Sequence, residues 1–315
     1  MATAECKAQD STKQATVFHQ ILVATDFSDA WRRALSEALV LASDKDAKMT
    51  LVHVAHTDWR YEMLDTPPEF DLEQGDARRG LEKLIDSLHS EKKIEAALLK
   101  AGPVAATVAD LARVKGADLI VVGTRGLGGF AKLALGSVAE ELLRIAPCPV
   151  MTMGPHSEIT AAGFRRILFA TDFGKGSTKA MPLALALARE HRARLILLHM
   201  LSPMPVTTAN LSAYAPAPAA ADEIEGWEET SRKLCLRQLR ECLPAEIDLE
   251  ETPEYVVGTD LLPEGILIAA EKLEVDLIVM GANRTGFARV AAHIPWTAVH
   301  EVARNARCPV LTVAG

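Results

Sequence analysis

The chain has 315 residues, a length for about two domains. With 49% apolar and 24% charged residues it has the make-up of an ordered globular protein, which excludes global disorder. A net charge of −8 argues against nucleic acid as the main partner, because phosphate binding leans on clustered Lys and Arg, and no stretch reaches the roughly 18 apolar residues of a membrane span.

Residues 1–16 contain no apolar core like that of a signal peptide and read as a flexible tail, so a cytoplasmic protein is expected. The run QILVAT that follows lacks polar alternation, as a parallel strand covered on both faces does. Ser28 then caps a segment in which Trp31, Leu35, Ala38, Leu39 and Ala42 recur at helical spacing. MTLVHVA is the next strand, Leu81, Leu84, Ile85 and Leu88 mark a second helix, and a weaker strand falls around Ala96–Lys100. VAATVADLARVKG is a helix, ADLIVVG a strand, SVAEELLRIA a helix and CPVMTM a closing strand. Alternation of this kind predicts a parallel, doubly wound α/β sheet with right-handed crossovers.

The order then repeats. ILVATDFSD at 21–29 returns as ILFATDFGK at 167–175, with six of nine positions identical. LVHV at Leu51 matches LLHM at Leu197, GADLIVVG at Gly116 matches EVDLIVMG at Glu274, and CPVMTM at Cys148 matches CPVLTV at Cys308. The predicted organisation is the tail, module 1 over 17–155, a linker over 156–163 and module 2 over 164–315. The Ala/Pro-rich stretch Ser202–Asp222 in module 2 reads as a loop without fixed structure. Five cysteines at these spacings fit neither a disulfide framework nor a zinc site, and no metal site is visible. Cys235 and Cys242 on a helix, and Cys148 and Cys308 at strand starts, read as packing residues.

In such sheets ligands bind beyond the carboxyl ends of the strands, where strand order reverses. The fourth strand of module 1 runs there into GTRGLGGFAKLALGS, five glycines in fifteen residues. Gly126, Gly128 and Ala131 satisfy a dinucleotide fingerprint, but that motif follows the first strand and needs an acid at the end of the next one, where RIAPCPV has none. GKGST at Gly174 lacks the first glycine of a P-loop, its place being taken by Phe169. The spacing that survives is G-x2-G-x9-G-S, formed by Gly123, Gly126, Gly136 and Ser137. Gly123 and Gly126 are free to take positive φ and present backbone N–H groups, and Ser137 opens a helix whose unpaired amides and dipole favour an anion. Other readings stand beside it: Ser137 with Glu140 spells a capping box, and TDFS around Asp26 is good turn chemistry. His53 and His199, ending equivalent strands, read as structural.

That spacing, preceded by DLIVVG and followed by a helix, resembles the signature of the universal stress protein family in its ATP-binding branch; ATDFS and CPV extend the resemblance over nearly the whole chain, as two modules in tandem. The resemblance implies a Rossmann-like α/β fold of two doubly wound parallel five-stranded sheets, similar to the adenine nucleotide alpha hydrolase-like fold. These would pack as an internal pseudo-dimer through the two CPV strands, and burying both edges supplies a physical motive. It further implies ATP as ligand, with Mg²⁺ bridging phosphates. Gly123, Gly126, Gly136, Ser137 and Val138 would line phosphates and ribose. Asp26, Val54 and Val122 would flank the adenine and ribose side, with Ala24 nearby.

Module 2 reads GANRTGFARVAAHIPWT at the same place: Arg284 and Trp296 replace glycines, two residues are inserted, and His300 replaces the acid of the capping box. Asp172 persists, but a triphosphate site is not expected there. Since the second copy keeps its strands and helices without those glycines, the glycines of the first point to a ligand. The expected function is ATP binding by module 1 as a sensor or regulatory state in stress response, with module 2 as a structural or interaction partner. Two rivals are a slow ATPase, disfavoured by the lack of a P-loop Lys and of any placed base beyond Asp26, and a nucleotide-free scaffold. No catalytic residue is assigned, the protein partners are unknown, and a further homodimer is open.

Overall fold

The computed structural model describes residues 17–43, 47–55, 79–80, 83, 94–124, 135–160, 163–201, 221–282 and 296–315. Each apolar run becomes a strand. Module 1 contributes β1 (Gln20–Thr25), β2 (Lys48–Ala55), β3 (Ile94–Ala101), β4 (Leu119–Gly123) and β5 (Val150–Met153). Its helices are α1 (Asp29–Ser43), α2 (Val104–Lys115) and α3 (Ser137–Ile145). Module 2 supplies β6 (Arg166–Ala170), α4 (Lys175–His191), β7 (Arg194–Met200), α5 (Ala221–Glu241), β8 (Glu254–Gly258), α6 (Glu264–Lys272), β9 (Leu277–Ala282), α7 (Trp296–Asn305) and β10 (Val310–Ala314). The expected helix marked by Leu81, Leu84, Ile85 and Leu88 falls on residues outside those described, as do the N-terminal tail and most of the Ala/Pro-rich stretch. No helix among the described residues is long and apolar enough to cross a membrane.

The ten strands form one sheet in the order β3-β2-β1-β4-β5-β10-β9-β6-β7-β8. Within each half all neighbours are parallel, and strand order reverses between β1 and β4 and between β6 and β9. The halves join through β5 and β10, which pair antiparallel with Met151 opposite Leu311. Thus the two five-stranded sheets expected from the repeat exist, but as one continuous sheet with the CPV strands at its centre.

Alternate residues serve opposite faces. Ile21, Val23, Met49, Leu51, Leu119 and Val121 face α1, in a core that runs on without a break into module 2 through Met151, Leu311, Leu277 and Phe169. Leu22, Ala24, Val52, Val54, Ile120 and Val122 face the other way into a separate core under α2 and α3. Module 2 has its own equivalent core under α6 and α7. Each fully buried Leu, Ile or Val is worth about 1.5–3 kcal/mol, so the shared face ties the modules energetically as well as by hydrogen bonds.

Several carboxylates bind backbone. Asp118 accepts the N–H groups of His19 and Gln20, at 2.7 and 3.0 Å, and fixes the start of β1. Asp276 does the same for Arg165 and Arg166 at the start of β6, at the same two distances. The Asp of each DLIV run therefore has a structural task that its sequence neighbours do not reveal. Between modules, Glu37 on α1 accepts both the N–H and the hydroxyl of Thr160 in the linker, and Glu190 on α4 accepts the N–H of Val17 at 2.8 Å. The segment leading into each module is held by the first helix of the other.

Candidate functional site

The carboxyl end of β1 turns sharply. Thr25 Oγ1 accepts the Phe27 N–H at 3.0 Å, Asp26 Oδ1 accepts the Ser28 N–H at 3.0 Å, and Phe27 takes a left-handed φ of 60°. That conformation is unfavourable for a bulky residue. Ring contact with His53, centroids 4.8 Å apart, supports it, and His53 Nδ1 in turn lies 2.8 Å from the Thr25 carbonyl, to which it donates. Ser28 Oγ then accepts the Trp31 N–H at 3.2 Å, so Ser28 caps α1 as its sequence position suggests. Module 2 repeats the turn with Thr171, Asp172, Phe173 (φ 58°) and His199, whose Nδ1 faces the Thr171 carbonyl at 2.8 Å. Both histidines are turn supports. Burial pushes the His199 imidazole below its ordinary range, against the opposing pull of the Thr171 carbonyl and of Asp172.

At the switch point between β1 and β4 the structure brings together part of the predicted set. Ala24, Val54 and Val122 belong to one buried apolar cluster, and Val138 of α3 packs against it. Asp26 lies just beyond the end of β1, half-buried. Beyond the Asx turn, Asp26 has no side-chain bond among the described residues. Thr124 and Gly136 close the base of the glycine segment by a Gly136 N–H to Thr124 carbonyl bond of 2.7 Å. Gly126 lies outside the described residues.

Two expectations for this segment are corrected. Gly123 does not have positive φ. It is glycine because α1 crosses β4 so closely that a Cβ would stand 3.0 Å from the Ala30 carbonyl carbon and 3.1 Å from the Trp31 nitrogen. Gly281 answers the same need in module 2, which explains why this glycine alone survives in both copies. The second correction concerns Ser137. The helix is capped by Gly136 (φ −58°, ψ 138°) without any side-chain bond, and Ser137 is its first helical residue, exposed. The closure onto Thr124 fixes the helix start, so the capping box does not form. Glu140 reaches Arg144 instead, at 3.1 Å. The amides of Ser137, Val138 and Ala139 precede the first intrahelical bond, which runs from Glu140 N–H to the Gly136 carbonyl. Ala139 was not singled out by the sequence spacing, yet its amide belongs to the same open set.

Module 2 differs at each point. Asp172 Oδ1 is engaged twice from its own turn and helix, by the Gly174 N–H at 2.8 Å and the Ser177 hydroxyl at 2.6 Å. Gly176 lets α4 press onto β9, so that a Cβ on Gly281 would stand 2.1 Å from the Gly176 carbonyl carbon. Arg284 lies outside the described residues, and Trp296 is the first residue of α7.

A cavity of about 910 Å³ opens at the amino end of the module 2 strands, lined by the linker and by Arg165, Arg166, Arg194 and Arg307. It lies away from both switch points. Arg166, Arg194 and Arg307 are paired with Glu274, Glu251 and Glu271. Among the described residues no three His, Cys, Asp or Glu side chains gather to hold a metal ion. Burial pushes the thiols of Cys148 and Cys308 up to about 12, so neither is a ready nucleophile.

A strand–helix order given twice, around one doubly wound sheet with its turns and glycines at the switch points, defines a tandem α/β protein. The family model for the universal stress protein family matches residues 18–153 and again 163–314, and the chain belongs to that family. The universal stress protein YxiE of Bacillus subtilis is 31% identical over 145 residues, which are 43% of this chain and 98% of that protein. A universal stress protein of Thermus aquaticus is 36% identical over 138 residues, again 43% of this chain and 98% of the relative. Each of these relatives thus has the length of one module. A universal stress protein structure from Archaeoglobus fulgidus aligns over 94% of this chain and 98% of its own, with TM-score 0.61 and 18% identity, a likeness of fold.

Proposed function

We propose that module 1, residues 17–155, binds an adenine nucleotide, ATP with Mg²⁺, as a regulatory or sensing state in stress response, and that module 2, residues 164–315, is its structural partner across a linker at 156–163. One observation carries this reading: among the described residues, the two copies of the switch point differ in how their acid and their helix start are engaged. In module 1, Ala24, Val54 and Val122 belong to one buried apolar cluster on which Val138 of α3 packs, and the Ser137 hydroxyl is not used as a cap. In module 2 the corresponding acid is bonded by Ser177, and Arg284 and Trp296 stand where module 1 has its second and third glycines.

The amides of Ser137, Val138 and Ala139, at the positive end of the α3 dipole, suit phosphate oxygens. The Gly136 amide is engaged by Thr124, so Gly136 would serve by allowing close approach and not by donating. Gly123 and Gly126 would shape the loop, and Asp26 would accept a hydrogen bond from ribose or adenine. Mg²⁺ would be held chiefly by phosphate oxygens and water, since it keeps much of its hydration in such sites, and it would neutralise polyphosphate charge. The decisive experiment is calorimetric titration of ATP·Mg²⁺ into nucleotide-stripped protein. One site per chain, abolished by Gly126→Arg, is expected. Two sites would show that module 2 retains binding, and none at millimolar ATP would leave the scaffold reading.

A further inference from the structure

The antiparallel joint of β5 and β10 brings α3, the helix that opens at the proposed anion site, within side-chain reach of its counterpart in module 2, α7. Glu140 sits in the first turn of α3. The repeat that relates Cys148 to Cys308 relates Glu140 to His300. These two side chains face one another across the junction, with His300 Nε2 3.8 Å from Glu140 Oε1 and exposures of 18% and 38%. Arg144, one turn farther along α3, holds the same Glu140 oxygen at 3.1 Å. Among the described residues, the charged groups acting on His300 include Glu140 and Arg144 from α3 and Glu301 from its own helix. Glu301 is engaged by Arg304 and Asn305. Helix α6, which also packs on α7, carries Glu264, Glu271 and Lys272 at its ends, with Glu271 paired to Arg307. Strands β5, β9 and β10 carry no charged side chain.

A carboxylate in the first turn of a helix competes for the field that would hold a bound anion. Had module 2 kept glutamate at position 300, two carboxylates would meet across the junction and both would repel that anion. We propose that His300 is a positioning residue for the phosphate site of module 1: contributed by module 2, it neutralises Glu140 and thereby sets the affinity of the α3 N-terminus for polyphosphate. The inference rests on the nucleotide reading above. Burial holds the imidazole below its ordinary range and Glu140 pulls the other way, so His300 charges as pH falls below the usual histidine range. Anion affinity gained in this way is present at low pH and lost as pH rises through the imidazole's pKa.

The test is ATP·Mg²⁺ affinity by calorimetry at pH 5.5 and 7.5 for the full chain and for His300→Gln, with the imidazole of His300 followed by NMR in the protein alone. Comparison with the variant cancels the titration of the nucleotide itself. Wild type should gain about two- to fivefold over the variant at the lower pH, the range for one charge at a helix terminus. Glu140→Gln should tighten binding at both pH values, abolish that difference, and lower the pKa of His300 in the ligand-free protein. ATP binding with identical pH profiles for wild type and His300→Gln would overturn the inference and leave the nucleotide reading standing. No ATP binding to wild type at either pH would remove the nucleotide reading and this inference with it. An unmoved His300 titration in Glu140→Gln would refute the pairing whatever ATP does.

Discussion

Gly123 and Gly281 show how one residue can be kept for packing while its neighbours are free to change. A methyl group on Gly123 meets α1 at 3.0 Å, a distance that a shift of a few tenths of an ångström relieves. On Gly281 it meets backbone at 2.1 and 2.3 Å, and α4 must move as a body. Gly123→Ala should therefore cost about 1–3 kcal/mol, and Gly281→Ala about 3 kcal/mol or more, read from urea denaturation midpoints. An equal effect at both would mean that α4 sits no closer to its sheet than α1 does. Glu37 is the other residue whose environment dictates a measurable property. Burial raises its carboxyl above 4.5, the Thr160 bonds oppose that shift, and the charge of Asp276 adds to it. Because the folded state keeps this proton to higher pH than the unfolded chain, the contribution of Glu37 to stability is largest below pH 4.5 and declines as pH rises through the folded pKa. Glu37→Gln keeps an acceptor for Thr160 without a charge, so between about pH 5 and 8 it should lose less stability than wild type. A steeper loss in the variant would show that the ionised form is favoured in the folded protein.

At the scale of elements, what was legible in the sequence was what repeats or what must be covered on both faces. QILVAT, DLIVVG and the CPV strands declare themselves as buried parallel strands by apolar runs too short for anything else, and Ser28 declares the start of α1 by its position before a helical stripe. What escaped depends on partners distant in sequence. The capping box at Ser137 and Glu140 is sound local chemistry, but the bond from Gly136 to the Thr124 carbonyl, across the whole glycine excursion, starts the helix one residue earlier. Glu37 lies on a helix whose pattern permits a solvated acid there, and only Thr160, 123 positions away, explains why it is buried. The left-handed Phe27 and Phe173 depend on histidines one strand over. For the candidate site, the position was legible from strand order and glycine spacing. That Gly123 answers the close crossing of α1 was not, because packing and ligand approach demand the same absence of a side chain.

As a whole molecule the chain is held by a core face that neither module completes alone, by the β5–β10 pairing, and by Glu37 and Glu190 gripping each other's leading segments. A chain ending at residue 155 would present the edge of β5 and an uncovered part of the shared core. It is expected to elute as a dimer or larger species, with light scattering giving the mass, because pairing of β5 with a second β5 restores the missing neighbour. A well-behaved monomer would mean that module 1 completes its own core.

With β5 and β10 both consumed at the centre, the outermost strands among the described residues are β3 at one end and β8 at the other. Any association of chains by strand pairing must begin there, and the two ends have different sequences. Pairing like with like, β3 on β3 or β8 on β8, has twofold symmetry and stops at two copies. Pairing β3 on β8 has none, and each added copy offers a fresh end to the next. The joining of the modules at the centre therefore leaves a choice between a closed pair and an open row of chains, decided by whether each edge prefers its own kind or the other.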